Sequence, residues 1–127
     1  MPNTFEQIHF TARVLGPTAA YRLEKREVTQ TLRSGHESTT ESILNGRVGT
    51  GDQLRVLLDS MLVGQAELVS MDAVNWECLG IDDAWRGGFD TLAELEIALR
   101  GAGFRFKPLK EYELYRIQFS WLEEVHA

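Results

Sequence analysis

The chain has 127 residues, a length typical of one domain, and 43% of them are hydrophobic, which is enough for a core and excludes wholesale disorder. Its net charge of −6 argues against broad, nonspecific binding to nucleic acid. We therefore expect one domain over residues 1–127.

The sequence also indicates a compartment. No apolar run approaches the roughly 18–20 residues that a membrane helix needs. The N-terminal stretch MPNTFEQIHF lacks the basic and then apolar layout of a signal peptide. Cys78 is the one cysteine, so it cannot form an internal disulfide, and we interpret it as a buried thiol. These features predict a cytoplasmic protein without a membrane segment.

The N-terminal third predicts strands and a long loop. Residues 7–15 are rich in β-branched and aromatic side chains, which indicates a strand, and Gly16-Pro17 interrupts it. Residues 18–26 fit either a short helix or the start of the next strand. Residues 35–52 are polar and glycine-rich, which predicts a loop.

Residues 27–33 show a regular alternation, which favours a strand. Its two faces carry Val28, Gln30 and Leu32 on one side and Thr29, Thr31 and Arg33 on the other.

Residues 53–59 and 62–74 predict two further strands that form a meander through a turn at Ser60-Met61. We expect the longer strand to bend at Gly64, since glycine within a strand often marks a bend.

Two short helices follow. Asp82-Asp83 is expected to cap a helix that runs through Trp85 and stops at Gly87-Gly88. Thr91-x-x-Glu94 then has the spacing of a capping box. The helix after it carries one apolar face and is expected to end at its glycines. The residues of that face and end are Leu92, Leu95, Ala98, Leu99, Gly101 and Gly103.

The last predicted element is a half-buried strand over residues 112–121, expected at the centre of the sheet. Its two faces carry Tyr115, Ile117, Phe119 and Trp121 on one side and Arg116, Gln118 and Ser120 on the other. The order of strands and helices predicts an α+β domain.

Three features in this order resemble the ASCH family, a branch of the PUA-like superfamily. They are the strand VTQTLR, the pair GDQLRV and GQAELVSMDAV, and DDAWRGGFDTLAELEIAL followed by YELYRIQFSW. The resemblance covers roughly residues 22–123. It implies a PUA-like mixed β pseudo-barrel with short helices packed at one side and a cleft beside the barrel.

The family motif at that cleft is Gly-x-Lys-x-x-Thr-x-Arg. Placing Thr31 and Arg33 on its threonine and arginine puts Val28 at the lysine and Arg26 at the glycine. The resemblance implies RNA binding, coactivation or, in one branch, hydrolysis of N4-acetylcytidine by a lysine, a threonine and a glutamate.

A second register over Gly35 and Thr40 puts Glu37 at the lysine and Ser42 at the arginine, so neither register supplies a lysine. The acidic residue that many members carry just before Gly-Phe is replaced by Gly87. Lys25 or Arg26 could replace the lysine if the strand bulges, and Glu27 or Asp83 could replace the acid.

The candidate site follows from this motif. A threonine without a base is a poor nucleophile, so Thr29 and Thr31 are better suited to hydrogen-bonding a ligand. Arg33 suits a bidentate contact with a phosphate or a base edge. Trp85 and Arg86 could stack on and contact a base. The alternatives are an ordinary solvent-facing strand for the Thr/Thr/Arg row and a core position for Trp85.

No metal or cofactor is predicted. His9, His36 and His126 lack the spacing of metal ligands, and no Cys/His cluster exists. The glycines of residues 35–52 do not follow a strand that leads into a helix, so no phosphate-binding loop is expected.

We therefore predict a domain that binds RNA or a nucleotide-like small molecule without catalysing a reaction. The alternatives are an amidohydrolase that acts on N4-acetylcytidine or a related nucleoside, and a protein-interaction module. The sequence leaves the oligomeric state open.

Overall fold

The structure, a computed structural model, describes residues 6–104 and 114–122. Five strands form one sheet: β1 (Glu6–Phe10), β2 (Gln30–Ser34), β3 (Gln53–Leu58), β4 (Met61–Val74) and β5 (Leu114–Trp121). The helices are α1 (Ala12–Leu15), α2 (Pro17–Glu24), α3 (Ser38–Leu44), α4 (Ile81–Arg86) and α5 (Leu92–Gly101), with a short 3-10 turn at Trp76–Cys78.

The sheet is mixed and has the order β1-β3-β4-β5-β2. β1 pairs with β3 in parallel, and every other pairing is antiparallel. β1 and β2 are therefore the two edge strands. The sheet curls until these edges approach each other. The approach is seen at Arg33 on β2, whose guanidinium donates to the main-chain carbonyl of His9 on β1 at 2.7 Å. The predicted α+β class and the interior position of β5 are confirmed.

The core consists of two clusters of buried side chains. The cluster inside the curl of the sheet includes Ile8, Leu54, Val56, Leu68, Ile117 and Phe119. The cluster beneath α5 includes Leu32, Phe89, Leu95, Leu99 and Leu114. The strand predicted over residues 27–33 begins only at Gln30. One of the two sets of alternating residues is buried, since Val28, Gln30 and Leu32 are 1%, 1% and 8% exposed.

The long strand predicted over residues 62–74 is β4, and it bulges next to Gly64. Val56 pairs with Gly64 and Leu57 with Leu62, so Val63 has no partner across the ladder. Arg26 occupies this bend. Its guanidinium donates to the Val63 carbonyl at 3.1 Å, and a Cβ on Gly64 would meet the Arg26 Nε at 3.0 Å.

The helix predicted after Thr91 is α5. The Thr91 hydroxyl accepts from the Glu94 N–H at 3.1 Å, which confirms the cap. Leu95 and Leu99 are buried, and Gly103 has a φ of +101° just beyond the helix.

The strand predicted over residues 7–15 is too long. It ends at Phe10, and α1 follows because the Asp59 carboxylate accepts from the Ala12 N–H and holds the first turn. The open choice over residues 18–26 resolves as α2. Its Pro17 is at the helix start, where a missing N–H is tolerated.

The loop predicted over residues 35–52 contains α3. The side chains that α3 buries are Thr39, Thr40 and Ser42, so the helix lacks an apolar stripe. The Glu37 carboxylate caps it by accepting from the Thr40 N–H at 3.1 Å.

Two predictions of burial need correction. Cys78 is exposed, because it lies in the 3-10 turn with its side chain towards solvent, and the next residue, Leu79, is the one that is buried. The core alternative for Trp85 is also wrong, since this side chain is 60% exposed. The described helices are all too short or too polar to cross a membrane.

Candidate functional site

A cavity of about 800 Å³ occupies the space between the two edge strands. All five residues of β2, Gln30 to Ser34, line one side. His9, Phe10 and Thr11 at the end of β1 line another. The α5 side contributes Leu95, Ala98, Leu99, Ala102 and Phe104. The cavity exists because the curled sheet does not close between β1 and β2.

Arg33 ties the two edges together at this cavity. Its guanidinium donates to the His9 carbonyl at 2.7 Å and to the Thr31 hydroxyl at 3.2 Å. It also pairs with the Glu37 carboxylate at 3.5 Å and lies over the Phe10 ring, 4.7 Å from the centroid. Arg33 therefore holds the wall of the cavity as well as facing into it.

The charge of Arg33 is largely shielded from water. Burial lowers the pKa of this guanidinium, and the Glu37 carboxylate acts in the opposite direction. Because Arg33 and Glu37 balance each other, this pair adds little net charge to the cavity wall.

Asp83 forms the polar floor of the cavity. One carboxylate oxygen accepts from Gln30 Nε2 and from Arg116 Nε, each at 2.8 Å. The other accepts from the Gly80 N–H at 2.9 Å and from Arg116 Nη2 at 3.3 Å. These four bonds match the roughly four acceptor sites of a carboxylate, so Asp83 has none left for a ligand.

The pKa of Asp83 reflects this network. Burial raises it, but the bonds from Gly80, Arg116 and Gln30 together outweigh that effect and lower the pKa. Arg116 responds in the opposite sense. Burial lowers its pKa, and the Asp83 and Asp72 carboxylates raise it overall. Asp83 is therefore a stable anion at neutral pH.

The network continues away from the cavity through two amides. Gln118 Nε2 donates to Gln30 Oε1 at 3.0 Å, and the Ser70 hydroxyl donates to Gln118 Oε1 at 3.3 Å. Gln30 is 1% exposed, so these bonds fix its amide in one orientation at the cavity floor.

Two of the five predicted site residues, Thr31 and Arg33, line the cavity. Thr29, Trp85 and Arg86 are outside its lining. Thr29 uses its main chain to link elements, accepting from Phe119 and donating to the Arg86 carbonyl. The Trp85 indole donates to the Asp90 carbonyl at 3.3 Å on the protein surface.

Sequence reasoning missed Gln30, Tyr115 and the role of Glu37, and it considered Asp83 only as a helix cap and as a substitute acid. Gln30 carried a signal, because an amide on the buried face of a strand must find hydrogen-bond partners. Glu37 and Asp83 carried no such signal, because only the folded chain brings them next to their partners.

A solved structure with a similar fold is the ASCH domain from Lactobacillus crispatus JV V101. The match covers 93% of this chain and 79% of that one, with a TM-score of 0.64 and 18% sequence identity. The chain has an ASCH-like fold. This confirms the predicted PUA-like pseudo-barrel, and at such low identity the likeness concerns the fold alone. No family model and no curated protein sequence matches the chain.

The ASCH-like fold gives the two motif registers different environments. In the first, Arg26 stands at the motif glycine with a φ of +60°, a conformation that favours glycine, and Thr31 and Arg33 face the cavity. In the second, Thr40 and Ser42 are buried within α3 and lie outside the cavity lining.

Val28, at the motif lysine of the first register, is 1% exposed and belongs to the core. The proposed replacements for that lysine do not line the cavity, because Lys25 lies over the Tyr21 ring and Arg26 bonds to β4. Over residues 6–104 and 114–122, no three His, Cys, Asp or Glu side chains group in a way that could hold a metal ion.

Proposed function

We propose that this ASCH-like domain binds a nucleotide-like ligand, free or within a short RNA, in the cavity between β1 and β2. The observation that carries the proposal is the position of Thr31 and Arg33 in the wall of a cavity of about 800 Å³. Small-molecule sites have such volumes, a largely apolar lining and a few fixed polar groups.

The balance of charge supports recognition of the heterocycle and sugar more than of a polyphosphate. Arg33 is paired with Glu37, and Asp83 is paired with Arg116. A second phosphate would therefore gain little from the described lining. The overall charge of −6 likewise opposes a long RNA along the surface.

Binding is better supported than hydrolysis. A threonine nucleophile needs a group that takes its proton, and the Thr31 hydroxyl accepts a bond from Arg33, which is a donor only. Val28, at the position of the motif lysine, is aliphatic and cannot accept that proton. Asp83 is already engaged by Gln30, Gly80 and Arg116.

A thermal-shift screen of nucleosides, nucleotides and short single-stranded RNAs tests the proposal. A ligand that binds only the folded state raises the melting temperature. Ala102 is exposed and lines the cavity, so Ala102→Trp is expected to fill the site and abolish the shift. Ala93→Trp, at an exposed position of α5 outside the lining, serves as the control.

The expected result is a shift with the wild type and with Ala93→Trp, and none with Ala102→Trp. No shift with any compound, or an equal shift with both tryptophan variants, would contradict the proposal. N4-acetylcytidine should remain intact when it is incubated with the protein. Release of cytidine would show that the protein is a hydrolase and would overturn the proposal of binding alone.

A further inference from the structure

We infer that the free main-chain edge of β2, at Leu32, recognises the ligand through a pair of hydrogen bonds to its heterocycle. The inference rests on the proposed function and specifies the ligand: a neutral, planar ring that carries a hydrogen-bond donor next to an acceptor. Backbone N–H and C=O groups can bind the donor and acceptor of such a ring, so no charged side chain is required.

The alternation of hydrogen bonds along β2 determines which groups are free. The Phe119 N–H donates to the Thr29 carbonyl at 2.9 Å, so Thr29 directs its carbonyl towards β5. In an antiparallel ladder this direction repeats every second residue. With Thr31 opposite Ile117 and Arg33 opposite Tyr115, these two residues bond to β5.

The residues between them direct their N–H and C=O groups away from β5. Ser34 agrees with this assignment, because its carbonyl accepts from the Glu37 N–H in the turn that follows β2. Leu32 has the same parity, and within residues 6–104 and 114–122 β2 has no second neighbour in the sheet. In the part of the chain that the structure describes, the Leu32 main chain makes no hydrogen bond beyond the sheet.

The lining of the cavity shows that this edge faces it. Five consecutive residues of β2 line the cavity, although neighbouring side chains on a strand point to opposite faces. Arg33 approaches it from the face that carries Phe10, and the Leu32 side chain from the face that packs under α5. A cavity bounded by both faces of one strand must run along the strand's edge.

The chemistry of this edge selects the ligand. One residue that directs both its N–H and its C=O to the same side complements a ring with an adjacent acceptor and donor, such as a lactam or an aminopyrimidine. The apolar lining, including Phe89 and Leu95, limits competition from water and strengthens both bonds. Blocking the ring donor by methylation would leave the Leu32 carbonyl unpaired.

Amide hydrogen exchange of the ligand-free protein, followed by NMR, tests the free edge by itself. The Leu32 amide is expected to exchange at least about 100-fold faster than the Thr31 and Arg33 amides, which the β5 ladder protects. Equal protection of all three amides would overturn the inference whatever the protein binds.

Titration with matched nucleosides tests recognition. The pairs are uridine with 3-methyluridine and adenosine with N6,N6-dimethyladenosine. At least one unmethylated nucleoside is expected to bind about 10-fold or more tightly than its partner, which corresponds to a loss of about 1.4 kcal/mol. Its binding should also slow exchange of the Leu32 amide.

The outcomes separate the two proposals. If nucleosides bind in the cavity but methylation has no effect and the Leu32 amide is unchanged, the edge inference is wrong and the proposed function stands. If no nucleoside or short RNA binds, the proposed function is wrong and the inference fails with it.

Discussion

Arg33 shows how one side chain can both stabilise a fold and line a candidate site. It bonds to the His9 carbonyl on the opposite edge strand, to Thr31 and to Glu37. Loss of affinity in a variant at this position would therefore not by itself place Arg33 against a ligand. Stability has to be measured beside binding.

Arg33→Ala is expected to lower the free energy of unfolding by about 2–3 kcal/mol, because charged hydrogen bonds are lost and Glu37 is left without its partner. Urea denaturation measures this loss. Arg13→Ala, at an exposed position of α1, should change stability by less than about 0.5 kcal/mol. Equal effects of the two variants would show that Arg33 does not join the edges.

Asp83 gives the protein a defined dependence on pH. Its pKa in the folded state lies below the value of about 3.9 for an unfolded aspartate. The unfolded state therefore binds more protons in that range, and stability rises with pH. The contribution of Asp83 is complete above about pH 5 and is lost as the pH falls through the folded-state pKa.

Asp83→Asn is expected to lower the free energy of unfolding by about 2–3 kcal/mol at pH 7, since Arg116 and Gln30 lose the carboxylate that they share. The difference from the wild type should shrink between about pH 5 and pH 3. Denaturation at several pH values checks both points. Asp82→Asn, at the exposed neighbouring position, is the control, and an equally large loss there would refute the account.

The sequence predicted some site residues and not others for a physical reason. Thr31 and Arg33 belong to one strand, so a local motif is enough to associate them. Asp83 meets Gln30 across 53 positions and Arg116 across 33, and only the fold brings these three together.

At the scale of elements, local signals decided what could be predicted. α5 carries a threonine N-cap and an apolar stripe, and both are readable in the sequence. α3 buries Thr39, Thr40 and Ser42, so its inner face looks like a polar loop. The β-branched residues of 7–15 favoured a strand, and tertiary contacts ended it at Phe10.

The connection from α4 to α5 depends on a close approach at Gly88. This residue has a φ of +95°, and a Cβ there would lie 2.9 Å from Val28 Cγ2 and 3.3 Å from Ala19 Cα. The packing of this turn against α2 and against Val28, just before β2, therefore requires glycine.

Gly88→Ala is expected to destabilise the fold by about 3 kcal/mol, since backbone strain adds to overpacking in the core. Gly46→Ala is the matched control, because Gly46 also has a positive φ, +78°, but a Cβ there would meet nothing within 4 Å. It should cost about 1 kcal/mol, from strain alone. Thermal denaturation that ranks Gly46→Ala as the more harmful would contradict this account of the turn.

At the scale of the whole molecule, the cavity results from a sheet that curls without closing. Two irregularities in β4, at Val63 and Val69, interrupt its pairing with β3 and β5, and such bulges increase the twist of a strand. The resemblance predicted a cleft beside the barrel. No local pattern could show that the cleft is the gap between β1 and β2, because their approach depends on the curvature of all five strands.

We propose that the gap between β1 and β2 holds the ligand. The most direct measurement is a map of amide chemical shifts in the ¹⁵N–¹H NMR spectrum during titration with a nucleoside selected by the thermal-shift screen. The largest changes are expected on residues 30–34 and on Ala98 and Ala102 of the cavity lining. Changes confined to the exposed Met61, Leu62 and Val69 of β4, with none along β2, would contradict it.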